Sequence, residues 1–206
     1  MRLAITAAAF AALAAAQAQH QHPMQHSAEE YIRVLNDPKR DMWQLPHEVV
    51  MALALKPTEV VADIGAGTGY FARRFAHHAK KVYAVDIDQK LLDVTAKDAP
   101  ANLETILASP DDPKLPAQSV DTIFFCDVLH HIENRPAYYA KLLTALRPGG
   151  RIVNIDFHKK ETPVGPPMAM RLSEETITGE FEAAGLRRVR SVDLLPYQYF
   201  LVFERK

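Results

Sequence analysis

One segment of the chain strongly restricts the type of fold that it can adopt. The mostly apolar residues 60–64 lead into a turn with glycine at positions 65, 67 and 69, and a second mostly apolar run ends at Asp86. A strand, a glycine-rich turn, a helix and a second strand that ends in an acidic residue are typical of a nucleotide-binding β-α-β unit. Glycines let the backbone pass close to a ligand, and the carboxylate can accept hydrogen bonds from a ribose diol. The sequence therefore predicts a nucleotide-like cofactor at this turn.

The spacing of these glycines argues against a dinucleotide. The dinucleotide pattern Gly-x-Gly-x-x-Gly, counted from Gly65, requires glycine at position 70. The chain has Tyr70 there, and its third glycine is Gly69. An NAD-dependent oxidoreductase is therefore disfavoured.

The rest of the chain alternates between strand and helix patterns. Helices are predicted at 27–35, 46–55, 70–78, 88–98, 136–147 and 173–184, and strands at 59–64, 81–86, 103–107, 119–126, 150–157, 186–194 and 197–205. This alternation predicts an α/β fold: a Rossmann-like, doubly wound and mostly parallel seven-stranded sheet. The connection at Pro196 is too short for a parallel crossover, so the two C-terminal strands form an antiparallel pair. We expect one domain over 27–206, with 27–58 as an N-terminal helical cap.

The charge and the composition of the chain indicate which class of partner it binds. The formal net charge is −1, and lysine and arginine form no long run, which argues against binding nucleic acid or an anionic membrane surface. The single cysteine, Cys126, excludes an internal disulfide and a cysteine-based metal cluster. A small molecule is therefore the expected partner.

Four ordered segments resemble motifs of the class I S-adenosylmethionine-dependent methyltransferases. They are residues 63–69, 82–86, 119–132 and 142–153, within a similarity that covers about 45–206. The resemblance implies S-adenosyl-L-methionine as cofactor and methyl transfer to a small-molecule acceptor by in-line displacement. The segment Cys126-Asp127-Val128-Leu129 lacks the Asn/Asp-Pro-Pro-aromatic motif of nucleic-acid amino-methyltransferases, which again favours a small acceptor.

The same resemblance assigns roles to individual residues. Gly65, Gly67 and Gly69 would hold the methionine end of the cofactor, and Asp63 would order that turn and contact the cofactor amino group. Asp86 would bind the ribose and Ile87 would pack on the adenine. Asp111, with Asp112 as the alternative, would accept a hydrogen bond from the adenine amino group. Ala66 in the turn and Asp127 after the central strand complete the predicted cofactor-binding set.

The chemistry of transfer points to two histidines. A general base is required only when the acceptor arrives protonated, and histidine can accept a proton near neutral pH. His130 and His131 lie just after the central strand, at the sheet edge where open α/β proteins bind ligands. They are the candidate catalytic residues; the alternative is that one packs or caps the loop and the other is solvated. Trp43 and the loop 161–171 are candidates for the roof of the acceptor site. Arg171 in that loop is a candidate for binding an acidic group of the substrate, and the alternative is an ordinary surface salt bridge.

The N-terminus has the pattern of an export signal. A basic start, an apolar run at 3–16 and Ala16-Gln17-Ala18 predict a cleaved signal peptide over 1–18, with no stable membrane span in the mature chain. A linker over 19–26 contains three histidines and Met24. We expect a periplasmic protein, or a cytoplasmic one if translation starts at Met24. Because the cofactor is made in the cytosol, the alternative function is an exported methyltransferase-like binding protein, linked to a metal through the histidine tract.

Overall fold

The protein is organised around one seven-stranded sheet. The computed structural model describes residues 28–206, and its strands are β1 Val60–Ile64, β2 Lys81–Asp86, β3 Leu103–Leu107, β4 Val120–Cys126, β5 Leu146–Phe157, β6 Leu186–Ser191 and β7 Gln198–Arg205. Their order in the sheet is β3-β2-β1-β4-β5-β7-β6. The pairs from β3 to β5 are parallel, whereas β7 is antiparallel to both β5 and β6. The predicted fold class is confirmed.

The last strand of the chain lies inside the sheet and not at its edge. Residues Gln198–Phe203 of β7 are all buried, whereas every residue of β6 after Leu186 is exposed. An apolar strand is stabilised most where both of its faces are covered and removed from water. An arginine-rich strand at the edge of the sheet disfavours pairing with a further strand. The predicted antiparallel pairing is therefore confirmed, and the insertion of β7 between β5 and β6 follows from burial.

Helices cover both faces of the sheet. They are α1 Ala28–Leu35, α2 Asp41–Gln44, α3 Pro46–Leu53, α4 Ala72–Phe75, α5 Gln89–Ala96, α6 Arg135–Ala145 and α7 Glu174–Ala183. Alternate residues of β4 enter two different cores: Phe125 packs with Tyr139 and Phe181 from α6 and α7, and Phe124 packs with Phe75. No helix within residues 28–206 has the length and apolar character needed to cross a bilayer.

The helix predicted at 70–78 is much shorter than expected. Only Ala72–Phe75 forms regular α-helix. The following backbone groups of His77 and His78 donate to carbonyls three residues earlier, so the segment continues as tight 3₁₀-type turns. The other predicted elements agree with the structure to within a few residues at their ends. The predicted signal peptide (1–18) and histidine-containing linker (19–26) lie outside the described residues.

A buried carboxyl group connects the first strand to the turn that follows it. Asp63 in β1 is 3% exposed, and its side chain accepts a hydrogen bond from the backbone of Ala72, the first residue of α4. Burial raises the pKa of Asp63 to about 8, against the opposing effects of that hydrogen bond and of Arg40. The turn 65–69 is thus closed at its base by a side chain that is largely neutral at pH 7.

Replacing Phe124 by alanine should destabilise the fold strongly. Phe124 is fully buried and contacts the rings of Phe71 and Phe75 at centroid distances of 5.0 and 4.9 Å. Removing such a side chain costs about 3–5 kcal/mol through lost transfer energy and a residual cavity. Urea unfolding measures the change, and Met51→Ala, at a position 57% exposed, is the control that should change little.

Stability should depend on pH through Asp63. Because its pKa is raised from 3.8 to about 8 on folding, its contribution is fully present below pH 4 and is lost as the pH rises through 8. Asp63→Asn keeps the acceptor for Ala72 and cannot ionise. We expect it to reduce the loss of unfolding free energy between pH 5 and 8 by about 1–2 kcal/mol. Asp93→Asn, on the exposed side of α5, is the control; an equal effect of both variants would contradict the prediction.

Candidate active site

The carboxyl ends of the parallel strands define a single crevice. The chain proceeds from β1 to β2 on one side, and β4 pairs with β1 on the other side. This is the topological switch point of the sheet, where open α/β folds bind ligands. The turn 65–69 and Asp127 directly follow strands that end at this crevice, and Asp86 is the last residue of β2.

The glycine turn is held in a conformation that other residues adopt poorly. Gly65, Gly67 and Gly69 have φ of +70°, +58° and +82°, in the left-handed region. The backbone N–H groups of Gly65 and Ala66 both donate to the carbonyl of Val85, at 2.8 and 3.0 Å, which folds the turn onto the end of β2. A side chain at Gly65 would overlap Val128. The turn is therefore packed between the exits of β2 and β4.

Asp86 lies where a ribose-binding carboxylate is expected. It is 8% exposed, and its Oδ2 accepts from the backbone N–H of Gly67 at 2.8 Å while Oδ1 accepts from that of Asp88 at 3.0 Å. Burial raises its pKa, and these backbone donors oppose that shift. Each oxygen keeps a second lone pair for a ligand hydroxyl. Beside it Ile87 is 53% exposed, which presents an apolar surface that a flat base could cover.

A chain of polar side chains crosses the crevice towards β4. Arg40 donates to Oε1 of Gln44 through Nε at 3.4 Å and Nη2 at 3.3 Å, and Gln44 Nε2 donates to Oε1 of Gln198 at 2.7 Å. Gln198 Nε2 in turn donates to both carboxylate oxygens of Asp127, at 2.8 and 2.9 Å. Three distant segments of the sequence are thereby joined by side-chain hydrogen bonds.

Arg40 brings a positive charge into this part of the site. Its guanidinium lies 3.9 Å from the ring centre of Tyr70 and 4.0 Å from Sγ of Cys126. Its field lowers the pKa of both Asp63 and Asp127, although burial outweighs it at each. Burial also raises the pKa of the Cys126 thiol well above its ordinary value, so this thiol is not an activated nucleophile.

Asp127 interacts with groups from both sides of the crevice. Its φ is +61°, and its backbone N–H donates to the carbonyl of Ile155. Burial raises its pKa and the neighbouring Asp156 adds to the increase, whereas Arg40, Gln198 and His130 favour the charged form. A cationic ligand at this point would favour the charged form further.

The two histidines that the sequence predicts as catalytic candidates have different surroundings in the structure. The side chains of His130 and Asp156 are 2% and 0% exposed, and His130 Nδ1 lies 3.3 Å from Asp156 Oδ2. Oδ1 of Asp156 accepts from the backbone N–H of Phe157 at 2.8 Å. His131 is exposed, and its ring lies against that of His130 at a centroid distance of 4.1 Å. A histidine oriented by a carboxylate can act as a base, and His130 has that arrangement.

Asp111 is held on the surface and not within this cluster. Its side chain is 80% exposed, with Oδ1 accepting from Ser109 Oγ at 2.9 Å and Oδ2 lying 3.5 Å from Lys141 Nζ. These partners lower its pKa, Ser109 foremost. Asp112, the alternative, also pairs with Lys141, at 3.4 Å. The adenine-binding role of either residue stays a prediction.

The loop after β5 is held by Arg171. This arginine is 5% exposed, and it donates to the backbone carbonyls of Pro166, His158, Lys160 and Val164. Its guanidinium also lies 5.1 Å from the ring centre of Phe157, whose other neighbour is Trp43 at 5.5 Å. Arg171 therefore shapes the loop, and the Trp43–Phe157 pair forms an apolar wall between that loop and the N-terminal segment.

Four residues of the site were missed by the sequence analysis: Arg40, Gln44, Asp156 and Gln198. A signal existed for two of them. Asp156 and Gln198 are polar residues in or next to strands that are otherwise apolar, where an unpaired polar group would be costly. Arg40 and Gln44 lie in short helical turns whose position depends on tertiary packing, and their spacing alone indicates no site.

Comparison with known proteins agrees with this geometry. A family model described as a methyltransferase domain matches residues 62–154. The malonyl-[acyl-carrier protein] O-methyltransferase of Serratia marcescens is 35% identical over 97 residues, 47% of this chain and 38% of that protein. The ubiquinone/menaquinone biosynthesis C-methyltransferase of Bordetella parapertussis is 24% identical over 176 residues, 68% of each chain.

A solved structure shows the same fold over most of the chain. The SAM-dependent methyltransferase from Aquifex aeolicus matches with a TM-score of 0.79 and 24% identity, covering 87% of this chain and 98% of that one. The first relatives among curated proteins are longer, since the match covers only 38%, 18% and 27% of their lengths.

The shared part is the β-α-β unit with its glycine turn and the central strand, which are the elements that form the cofactor crevice described above. Solved structures that match this fold include DhpI in complexes with SAH (TM-score 0.69, 20% identity) and with SAM (TM-score 0.67, 19% identity). The strand order, the geometry of the turn and these matches show the Rossmann-like fold of the class I S-adenosylmethionine-dependent methyltransferases, with a methyltransferase domain matched over residues 62–154.

Proposed function

We propose that the protein transfers a methyl group from S-adenosylmethionine to a small-molecule acceptor by in-line displacement. The observation that carries the proposal is the contact between Asp86 and Gly67, because it joins the ribose-binding carboxylate to the turn that would hold the methionine end. The same crevice contains a polar region at the exit of β4, where an acceptor would meet the methyl group.

The residues of the crevice fit this cofactor. Gly65, Gly67 and Gly69 provide close approach of backbone, Asp86 provides free lone pairs for the ribose hydroxyls, and Ile87 provides an exposed apolar face for the adenine. The cofactor supplies an activated methyl group on a sulfonium centre. The carboxylate of Asp127 lies at the exit of β4, and its negative charge would stabilise a cation there.

The N-terminal segment favours a small acceptor. Thr68 Oγ1 donates to Oδ1 of Asn36 at 2.7 Å, and Leu35 contacts the space beside Gly67. Helix α1 therefore covers the turn, and Trp43 and Phe157 form a wall on the other side. An acceptor must enter between these covers, which suits a compact molecule and not a nucleic-acid duplex. Covers of this kind would exclude water from the reacting groups and help to hold them in line.

Asp86→Ala should weaken binding of both S-adenosylmethionine and S-adenosylhomocysteine. Losing hydrogen bonds to a charged group costs about 1.5–3 kcal/mol, which is roughly a 10- to 100-fold increase in Kd. Isothermal titration of the mature protein measures it. Glu104→Ala, which removes an exposed carboxylate on β3, is the matched control and should bind normally.

Two outcomes of this titration have different consequences. If Asp86→Ala binds as tightly as the wild type, the ribose-binding role is wrong. If the wild-type protein binds neither compound, methyl transfer is excluded, and the alternative of an exported binding protein without catalysis takes its place.

We also propose that the protein is exported, on the basis of residues 1–18. A signal of this kind is cleaved after its small-x-small site, here Ala16-Gln17-Ala18. N-terminal sequencing of protein from periplasmic and cytosolic fractions should find Gln19 as the first residue of the periplasmic form. A cytosolic protein that begins at Met24 would contradict export.

A further inference from the structure

We propose that His130 is the general base of the transfer, that Asp156 is the residue that positions it, and that the acceptor is a neutral hydroxyl compound. This inference rests on the proposed function and deepens it, because it names the class of acceptor. It is carried by the buried contact between His130 Nδ1 and Asp156 Oδ2 at 3.3 Å.

The contact determines which ring nitrogen can accept a proton. Oδ1 of Asp156 is held by the backbone N–H of Phe157, which leaves Oδ2 facing the imidazole. An ionised carboxylate can only accept hydrogen bonds, so the proton of neutral His130 is placed on Nδ1. The lone pair is then on Nε2, which is the atom that would take the proton from an acceptor.

The position of His130 relates it to the cofactor turn. It lies in the 3₁₀ turn Leu129–His131, directly after β4, and two residues after Val128, which packs against Gly65. Asp127, which precedes this turn, interacts electrostatically with both His130 and Asp156. The base is therefore placed at the strand exit where the acceptor would meet the methyl group.

Charged groups around the pair come from several elements. Asp127 follows β4, Asp156 lies in β5, and Arg40 reaches Asp127 from the N-terminal segment. Tyr199 on β7 is the cross-strand partner of Asp156, and burial and then the Asp156 charge raise the pKa of its phenol. The surroundings of His130 are thus rich in carboxylate, which stabilises an imidazolium once the proton has been transferred.

A base is useful only for an acceptor whose accepting atom carries a proton, and the proposal takes a hydroxyl group as that acceptor. A tertiary amine or a thioether already carries a free lone pair and needs no base, whereas a hydroxyl group does. Nε2 of His130 takes the hydroxyl proton as the oxygen lone pair forms the new C–O bond. The S–CH₃ bond breaks and its electron pair remains on sulfur, which gives the methyl ether and S-adenosylhomocysteine. The proton on His130 then passes to solvent.

The charge of the site argues against a carboxylate acceptor. Asp127 and Asp156 lie beside His130, with Asp156 fully buried and Asp127 half-buried, and Arg40 already stabilises the charge of Asp127. An incoming carboxylate would be repelled and would need no base. A neutral phenol or alcohol would not be repelled and does need a base. The Trp43–Phe157 pair offers it an apolar wall.

The tautomer of His130 can be measured without any acceptor. Long-range ¹H–¹⁵N NMR of the full mature chain, assigned with His130→Gln, should show the Nδ1–H form in the wild type. In Asp156→Asn the amide oxygen keeps the Phe157 contact and the amide nitrogen faces the ring. Nδ1 must then accept, and the proton moves to Nε2. An Nε2–H form in the wild type, or no change in Asp156→Asn, would overturn the positioning role.

Turnover tests the base and the acceptor class. Catechol is the hydroxyl probe and benzoate the carboxylate probe, with S-adenosylhomocysteine release as the signal. We expect methylation of catechol only, a decrease in kcat of about 100-fold or more in His130→Gln and in Asp156→Asn, and loss of the acidic limb of the pH profile in His130→Gln. His77→Gln, on an exposed turn, is the control.

The outcomes separate this inference from the proposed function. Titration with S-adenosylmethionine in the same variants should give unchanged Kd, because neither residue is assigned to the cofactor. If the wild type binds the cofactor and His130→Gln retains full turnover, or His131→Gln loses it instead, the inference is wrong while the proposed function stands. Turnover of benzoate but not catechol would overturn the hydroxyl assignment.

Discussion

Much of the site depends on one constraint, the burial of carboxylates at the carboxyl edge of the sheet. Asp63, Asp86, Asp127 and Asp156 are all at or near the ends of adjacent strands; Asp63, Asp86 and Asp156 are buried, and Asp127 is half-buried. Burial without partners would be costly, so every one of them accepts hydrogen bonds from elsewhere in the chain. Those partners tie the loops and the N-terminal segment to the sheet.

The partners of Asp127 show this dependence most clearly. The path from Arg40 through Gln44 and Gln198 to Asp127 joins the N-terminal segment, the last strand and the exit of the central strand. Since β7 lies inside the sheet, Gln198 at its start is placed directly beside the end of β5. The position of the final strand thus contributes to the site as well as to the core.

Most of this network lies outside the part of the chain that the family model matches. The family model covers residues 62–154, which include the glycine turn, Asp86, Asp127 and His130. Arg40, Gln44, Asp156 and Gln198 all lie outside that range. The cofactor crevice is therefore built from the common part. The polar network beside it comes largely from the flanking segments, which is the kind of variation expected where one fold serves many substrates.

By itself, the sequence determined the fold class, the strand pattern and the cofactor turn. These follow from local features: apolar runs of strand length, glycines at 65, 67 and 69, and an acidic residue at the next strand end. It predicted a full helix after the turn, where only Ala72–Phe75 is regular, because tight turns and α-helix share the same apolar spacing.

Only the tertiary structure decided which histidine is paired and which residues complete the crevice. His130 and His131 are adjacent and equivalent in sequence, and the contact with Asp156, 26 residues away, distinguishes them. The links from Arg40 to Gln44 and on to Gln198 likewise join residues that no periodicity relates. Local propensity can place a strand or a turn, but a hydrogen bond between distant side chains exists only once packing has brought the strand ends together.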